Sequence, residues 1–221
     1  MENRNYDLSG LEVRAPSDDG TGKAGGYAAV FNSDSHDLGG FVEVIEPGAF
    51  KRSLSQAQTG ALNIFALWSH SDALPLGSTG SGKLTLSEDE RGLAFELDTK
   101  RFTPAQLDSL ADGELRMSFG FTVREQEWKE LDDGSILRTL KDVDLVEVSF
   151  VINPAYPDTS AAKRSLDKWQ EGRVTPSTVA EEIAEAFEGH KASDKVLLDL
   201  RNRARAASLK ARGRLWHSKD K

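Results

Sequence analysis

Two side chains in this sequence have the chemistry of acyl transfer, the imidazole of His70 and the hydroxyl of Ser118. They lie in the short segments Leu67-Trp68-Ser69-His70 and Met117-Ser118-Phe119-Gly120-Phe121, each of which follows or interrupts an apolar run. A serine hydroxyl attacks a carbonyl carbon efficiently only when a neighbouring base takes its proton, and histidine is the commonest such base. The chain has no cysteine, so covalent catalysis would have to use oxygen or lysine.

An acid that orients the imidazole ring would complete a catalytic set with the serine and the histidine. Glu147 is flanked by strand-forming valines and is one candidate, and Asp144 and Asp142 are nearby alternatives. Regular alternation along a strand places Glu147 and Ser149 on the same face as Leu145. The residues alone leave the choice among the three acids open.

The remaining histidines are weaker candidates for the base. His36 lies in a polar loop, and His190 and His217 lie in the C-terminal region. His70, in contrast, follows a run that is typical of a buried strand. Gly120 permits the close approach of another backbone, such as a substrate strand, and amides near it are candidate oxyanion donors. The sequence lacks the motifs of nucleophile elbows, zinc proteases, phosphate-binding loops and dinucleotide-binding folds. Nothing in it calls for a cofactor or a metal ion.

The composition excludes several classes of protein. Of the 221 residues, 38% are hydrophobic, and no apolar stretch approaches the roughly 18 residues that span a membrane. The absence of cysteine excludes disulfides and cysteine-based zinc sites. The first residues contain no hydrophobic signal region. We therefore expect a soluble protein that is not secreted and has no membrane partner.

Charge is distributed unevenly along the chain, whose net charge is -8. Residues 189–221 carry ten Lys and Arg against three Asp and Glu, whereas the rest of the chain carries 18 against 33. A basic tail on an acidic body indicates an acidic partner, which is the body itself, another protein or nucleic acid. A solvated charged helix explains the tail equally well. Nucleic acid is the least favoured partner, because Trp216 is the only aromatic residue in the basic segment.

Apolar alternation and turn signals predict seven or eight strands and two short helices in residues 1–165. The predicted strands cover 26–31, 41–45, 63–68, 83–86, 93–97, 117–124, 135–143 and 145–151. The predicted helices cover 49–56 and 103–111, the second with Thr103 as N-cap and Pro104 in the first position. The pattern favours an α+β, mainly β fold with a closed or partly closed barrel, and a sandwich is the alternative. Residues 166–221 are predicted to form a charged, helical and partly mobile C-terminal tail.

The chain resembles a known family, the prohead (capsid maturation) proteases of tailed phages, which are related to the herpesvirus assemblin proteases. The resemblance extends from about Gly26 to Ala162 and rests on the order and spacing of several short segments. These segments are Gly26-Tyr27-Ala28-Ala29-Val30-Phe31-Asn32, Glu46-Pro47-Gly48-Ala49-Phe50, Leu67-Trp68-Ser69-His70, Leu76-Gly77, Met117-Ser118-Phe119-Gly120-Phe121, Leu145-Val146-Glu147-Val148-Ser149-Phe150 and Asn153-Pro154-Ala155. The region after Ser165 lies outside the resemblance.

The resemblance implies a serine endopeptidase that works in the host cytoplasm, inside an assembling procapsid. Its implied substrates are the scaffolding segment of the major capsid protein or a separate scaffold protein, and the enzyme itself. The family's histidine and serine correspond to His70 and Ser118, and Glu147 fits the L-x-E-V-S segment as the third member, where the herpesvirus branch uses a second histidine. The implied fold is an assemblin-like β-barrel surrounded by short helices.

A competing hypothesis is a non-enzymatic capsid-assembly or scaffolding module that uses the same barrel, with Ser118 and His70 in structural roles. Side chains of Ser118 and His70 within hydrogen-bond reach would favour the enzyme, and side chains on opposite faces would exclude it. A homo-oligomer is compatible with either function. Under the protease hypothesis, the segment from Ser160 to Ser165 is a candidate boundary for self-cleavage.

Overall fold

A computed structural model of the chain describes residues 1–6, 12–14, 22–151 and 159–173. The chain divides into two units, Met1–Lys163 and Arg164–Lys221. The first unit contains most of the described residues, among them His70, Ser118 and Glu147. The helices predicted beyond residue 174, together with His190 and His217, lie outside the described residues.

Strands dominate the first unit. They are β1 (Glu2–Tyr6), β2 (Glu12–Arg14), β3 (Lys23–Val30), β4 (Val42–Ile45), β5 (Phe65–Trp68), β6 (Ser71–Ser78), β7 (Leu84–Glu88), β8 (Gly92–Asp98), β9 (Arg116–Glu130) and β10 (Ile136–Val151). Between them lie the helices α1 (Lys51–Gln58) and α2 (Pro104–Ala111) and a 3-10 turn (Thr99–Arg101), and α3 (Thr159–Arg173) follows β10.

Local signals predicted several of these elements correctly. The helix α2 begins where expected, because Thr103 and Gln106 form a capping box and Pro104 occupies the first turn. The strands β7 and β8 form the predicted antiparallel hairpin. The candidate cleavage boundary from Ser160 to Ser165 lies within α3, so its backbone is helical rather than extended.

The strands form two sheets. The first has the order β1-β9-β10-β5-β6, with β4 also paired to β10, and the second has the order β2-β3-β8-β7. In the first sheet β9 and β10 are antiparallel, whereas β4 and β5 run parallel to β10 beside its first and second halves. The strand β10 therefore has partners along its whole length and organises the sheet.

The described strands do not close into a barrel, so the mainly β class is confirmed and the assemblin-like closed or partly closed barrel is not. The strands predicted at 135–143 and 145–151 are one strand, β10. An irregularity in its pairing with β9 around Asp142, rather than a turn, marks the place where the alternation breaks.

One face of β9 and β10 carries the apolar core. The ring of Phe119 meets Phe50, beside α1, edge-on with 5.4 Å between centroids. The ring of Phe150 meets Phe95 of β8 at 5.7 Å and Phe102 at 5.4 Å in the same way. Such pairs contribute about 0.5–1.5 kcal/mol each beyond their burial. They hold the first sheet against α1 and the second sheet.

A cluster of four buried charged residues joins β1 to the body of the first sheet. We call Glu2, Arg4, Glu43 and Arg138 the four-charge cluster. Arg4 Nε lies 2.7 Å from Glu43 Oε1, and Arg138 Nη1 lies 2.8 Å from Glu2 Oε2. Burial raises the pKa of Glu2, but the hydrogen bonds and charges of Arg138 and Arg4 outweigh it and lower that pKa below its ordinary value. The Glu2 carboxylate therefore stabilises the fold at neutral pH, and this contribution is lost as the pH falls through its lowered pKa.

Arg138→Met is expected to destabilise the fold by about 3–5 kcal/mol, because two buried carboxylates would be left with one guanidinium. Lys141→Met is the matched control, since Lys141 lies on the same strand and its ion pair with Glu127 is at the surface. Urea unfolding followed by circular dichroism gives the free energy of unfolding for both variants. Equal losses of stability in the two variants would contradict a structural role for the cluster.

Candidate active site

His70 lies in a two-residue turn that joins β5 to β6. Ser69 and His70 both have positive φ, 54° and 57°, as tight type I′ hairpin turns require. A left-handed backbone at a non-glycine residue costs about 1–3 kcal/mol, and such strain is typical of functional sites. The amide of Ser69 donates a hydrogen bond of 2.8 Å to the carbonyl of Phe150. This bond ties the strained turn to β10 and fixes the position of His70.

The imidazole of His70 contacts the carboxylate of Glu147, with 2.7 Å between Nδ1 and Oε1. The side chain of Glu147 is 4% exposed and that of His70 is 22% exposed, so the acid is buried beneath a ring that reaches solvent. A ring nitrogen that faces a carboxylate oxygen carries its proton there, and in the neutral ring this leaves Nε2 unprotonated. The pair therefore has the geometry of an oriented base with Nε2 ready to take a proton.

Glu147 turns away from the apolar core because β10 contains a bulge at Val146. Leu145 pairs with Phe121, and Glu147 pairs with the next residue of β9, Gly120, so that Val146 is an extra residue in the ladder. Leu145 packs in the apolar core, whereas Glu147 lies on the opposite face of the sheet. The expectation that Leu145 and Glu147 share a face was wrong, because strict alternation does not continue through a bulge.

Gly120 makes room for the buried carboxylate. A Cβ at this position would lie 2.5 Å from Glu147 Oε1 and 3.1 Å from Asn3 Oδ1. Any side chain would therefore displace the oxygen that contacts His70. The sequence predicted that a substrate backbone approaches Gly120, whereas the Glu147 side chain does so. The amides near Gly120, which were candidate oxyanion donors, lie in strand ladders between β1 and β10.

Ser149 holds the other oxygen of the same carboxylate. Its hydroxyl donates a short hydrogen bond to Glu147 Oε2, and the residue is fully buried. With Ser149 on Oε2 and His70 on Oε1, both carboxylate oxygens have a donor. Sequence reasoning placed Ser149 on the face of Glu147 but gave it no role. The signal that could have revealed this contact is the spacing, because an acid and a hydroxyl two residues apart on one strand lie side by side on the same face.

Ser118 lies on the same face of the sheet as Glu147, directly across from Ser149. It is fully buried, and its hydroxyl donates a hydrogen bond of 3.0 Å to the backbone carbonyl of Arg4 in β1. The structure therefore brings His70 and Glu147 into contact and places Ser118 on their side of the sheet. The Ser118 hydroxyl, however, is bonded to β1 rather than to His70.

The alternative acids, Asp142 and Asp144, are engaged in ion pairs away from the His70 ring. Arg52 contacts both, at 3.0 Å from Asp142 Oδ2 and 2.7 Å from Asp144 Oδ1, and Arg124 contacts Asp144 at 2.7 Å. Burial raises the pKa of Asp144, but Arg124 and Arg52 lower it more strongly, so it is held as a carboxylate. Of the three candidate acids, Glu147 is the one in contact with His70.

Metal-binding side chains do not converge in the part of the chain that the structure describes, where no three His, Asp or Glu residues are arranged to hold a metal ion. No helix in this described part is long and apolar enough to cross a membrane.

The site lies within a match to a known family. A family model described as Caudovirus prohead serine protease matches residues 9–171, a range that contains His70, Ser118 and Glu147. No curated protein and no solved structure matches the chain.

Gly120→Ala is expected to separate Glu147 from His70, because the added methyl group would lie 2.5 Å from Oε1, closer than the two atoms can approach. Gly25→Ala is the matched control, since a Cβ there meets only an ordinary contact at 3.4 Å. The measurement is the low-field proton NMR signal of the His70 Nδ1–H, which its hydrogen bond to a carboxylate protects from exchange. We expect this signal in the wild type and in Gly25→Ala and its loss in Gly120→Ala. Its retention in Gly120→Ala would contradict the role assigned to the glycine.

Proposed function

Because the chain belongs to the Caudovirus prohead serine protease family, we propose that it is a serine endopeptidase that processes capsid proteins during maturation of the phage procapsid. The observation that carries the proposal is the contact of 2.7 Å between His70 Nδ1 and Glu147 Oε1. A buried carboxylate that orients an imidazole beside a serine-bearing strand is the arrangement of a Ser-His-acid triad.

In the proposed mechanism, Ser118 Oγ attacks the scissile carbonyl carbon while His70 Nε2 takes the hydroxyl proton. Glu147 holds the ring and stabilises the imidazolium that forms. The tetrahedral intermediate collapses as His70 protonates the leaving amine, and an acyl-enzyme remains on Ser118. Water, deprotonated by His70, then hydrolyses the ester and releases the second product. Before the first step the Ser118 hydroxyl must rotate away from the carbonyl of Arg4.

The proposed substrates are proteins of the assembling shell. They are the scaffolding segment of the major capsid protein or a separate scaffold protein, and the protease itself. The family description supports a place of action inside the prohead, which assembles in the host cytoplasm.

Ser149 is the second hydroxyl on the same face, and we assign it a positioning role. Its proton is donated to Glu147, so its hydroxyl helps to fix the acid and is not directed at the base. Loss of a hydrogen bond to a charged group removes about 1.5–3 kcal/mol, which corresponds to roughly a 10- to 150-fold loss in rate if the acid becomes misplaced.

The competing function is a non-enzymatic capsid-assembly or scaffolding module. The observation in its favour is that Ser118 is fully buried and bonded to β1. In that case, substitution of Ser118 or His70 would not change the cleavage of any protein of the maturing shell.

Ser118→Ala is expected to lower processing of the co-expressed capsid protein by on the order of 10³-fold or more, because it removes the nucleophile. Ser149→Ala is expected to retain a measurable part of the activity, since it loosens the acid without removing a reacting atom. Ser87→Ala, at an exposed position on β7, is the control and should process normally. Gel analysis of capsid protein in assembled particles gives the three rates.

Labelling with a fluorophosphonate, followed by peptide mass spectrometry, identifies the nucleophile independently. We expect the label on the peptide that contains Ser118. A label on Ser149, or normal processing by Ser118→Ala, would show that the nucleophile is assigned wrongly.

A further inference from the structure

The strand β1 pairs with one edge of β9, in the segment that contains Ser118. The two strands are antiparallel, with Asn5 opposite Ser118, Asn3 opposite Gly120 and Glu2 opposite Phe121. An extended peptide that binds a protein by adding a strand to a sheet takes this form, with main-chain hydrogen bonds along the edge and alternate side chains in pockets. The other edge of β9 is occupied by β10. A substrate strand that pairs with β9 beside Ser118 would therefore have to take the position of β1.

We propose that the edge of β9 beside Ser118 is the binding site for an extended substrate peptide, and that residues 2–6 occupy it as an intramolecular inhibitor. The proposal rests on the protease function proposed above and adds its substrate-binding edge and its regulation. The bond of 3.0 Å from the Ser118 hydroxyl to the carbonyl oxygen of Arg4 is the central contact. It places a backbone carbonyl of the chain itself at the proposed nucleophile.

The contact between Ser118 and the Arg4 carbonyl inhibits the enzyme and does not lead to cleavage, because the hydroxyl proton points at the carbonyl oxygen. Ser118 donates its proton to the Arg4 oxygen, so the hydroxyl proton is not available to His70. Attack requires that the hydroxyl proton point at the base, which takes it, and that an oxygen lone pair point at the carbonyl carbon. With β1 in place Ser118 is also fully buried. Removal of β1 would expose this edge and free the β9 amides that pair with it, which then become candidate oxyanion donors.

The four-charge cluster holds β1 in this position through side chains on the other face of the strand. Arg4 contacts Glu43 at 2.7 Å, and Arg138 contacts Glu2 at 2.8 Å. Each contact joins β1 to the body, so together they fix the register that sets the Arg4 carbonyl against Ser118. A shift of one residue would direct these charges toward the opposite face.

The cluster is also built so that β1 can leave without an unpaired charge remaining. Within β1, Arg4 Nη2 lies 2.5 Å from Glu2 Oε2, and within the body, Arg138 Nη1 lies 2.8 Å from Glu43 Oε2. Each half is therefore a neutral ion pair by itself. The large penalty of breaking a buried ion pair arises from the partner left uncompensated, and here both halves keep a partner.

The ion pair between Arg138 and Glu43, which stays in the body, defines the class of peptide that fits the edge of β9 once β1 has left. Arg138 faces an acidic side chain at the position of Glu2, and Glu43 faces a basic side chain at the position of Arg4. A substrate in the register of β1 is thus an extended segment with an acidic residue followed two positions later by a basic residue. The basic residue supplies the carbonyl that lies at Ser118.

The test uses the full chain with the double substitution Glu2→Arg and Arg4→Glu, which sets like charges against Arg138 and Glu43 and should release β1. We expect fluorophosphonate to label Ser118 at least tenfold faster than in the wild type. Adding Glu43→Arg and Arg138→Glu should restore the pairing and the slow labelling. The control is Lys23→Glu with Glu96→Lys, an exposed ion pair, for which the rate should not change.

A synthetic peptide of residues 1–8 tests the binding site directly, by fluorescence anisotropy. It should bind the released double variant and not the wild type, and a peptide with its glutamate and arginine exchanged should not bind the released variant. A folded double variant that neither labels faster nor binds the peptide would overturn the proposal. Binding of the peptide without labelling of any serine would leave the strand site standing and exclude the protease function. Labelling of Ser118 at the wild-type rate in every variant would leave the protease function standing and exclude the strand site.

Discussion

The arrangement of the site depends on one buried carboxylate. Glu147 lies on the face of the first sheet opposite the aromatic core, almost without exposure to solvent. Burial of a carboxylate is costly unless hydrogen-bond donors replace the water that it has lost. The structure supplies His70 Nδ1 for one oxygen and Ser149 for the other. The carboxylate thus fixes the direction of the imidazole ring, and the direction of the ring determines which proton it can accept.

Three local departures from regular structure serve this carboxylate. The bulge at Val146 turns Glu147 to the polar face, Gly120 leaves the space that its side chain fills, and the strained turn at Ser69 and His70 brings the ring to it. Each of these departures costs free energy locally, so each persists only where the surrounding structure is rigid. The close-packed face of the same strands, where Phe119 meets the ring of Phe50 beside α1 and Phe150 meets the ring of Phe95 in β8, supplies the rigidity. One pair of strands therefore stabilises the fold on one face and orients the His70 ring on the other.

The sequence was informative where the cause was local. The capping box of α2 and the hairpin of β7 and β8 could be predicted because their signals lie within a few residues. The residues alone left Glu147, Asp144 and Asp142 open as the acid beside His70, and only the resemblance to a family favoured Glu147. The predicted barrel was not confirmed, and local patterns could not decide it because closure of a sheet depends on pairings between distant strands. The face of Leu145 was wrong because a bulge leaves no mark in the pattern of apolar residues. The role of Ser149 was missed because a small polar residue in a strand usually has none.

The strand β1 could not have been predicted at all, since Glu2-Asn3-Arg4 has the composition of an exposed terminus. It becomes a strand because its charged side chains find buried partners on β4 and β10. The partners and the proposed nucleophile lie on opposite faces of the same sheet, and β1 contacts both, through its side chains on one face and the Arg4 carbonyl on the other. Electrostatic pairing on the first face thereby controls access to Ser118 on the second. Because each half of the four-charge cluster is neutral, that control can be released by exchange with a peptide that carries the same pair of charges.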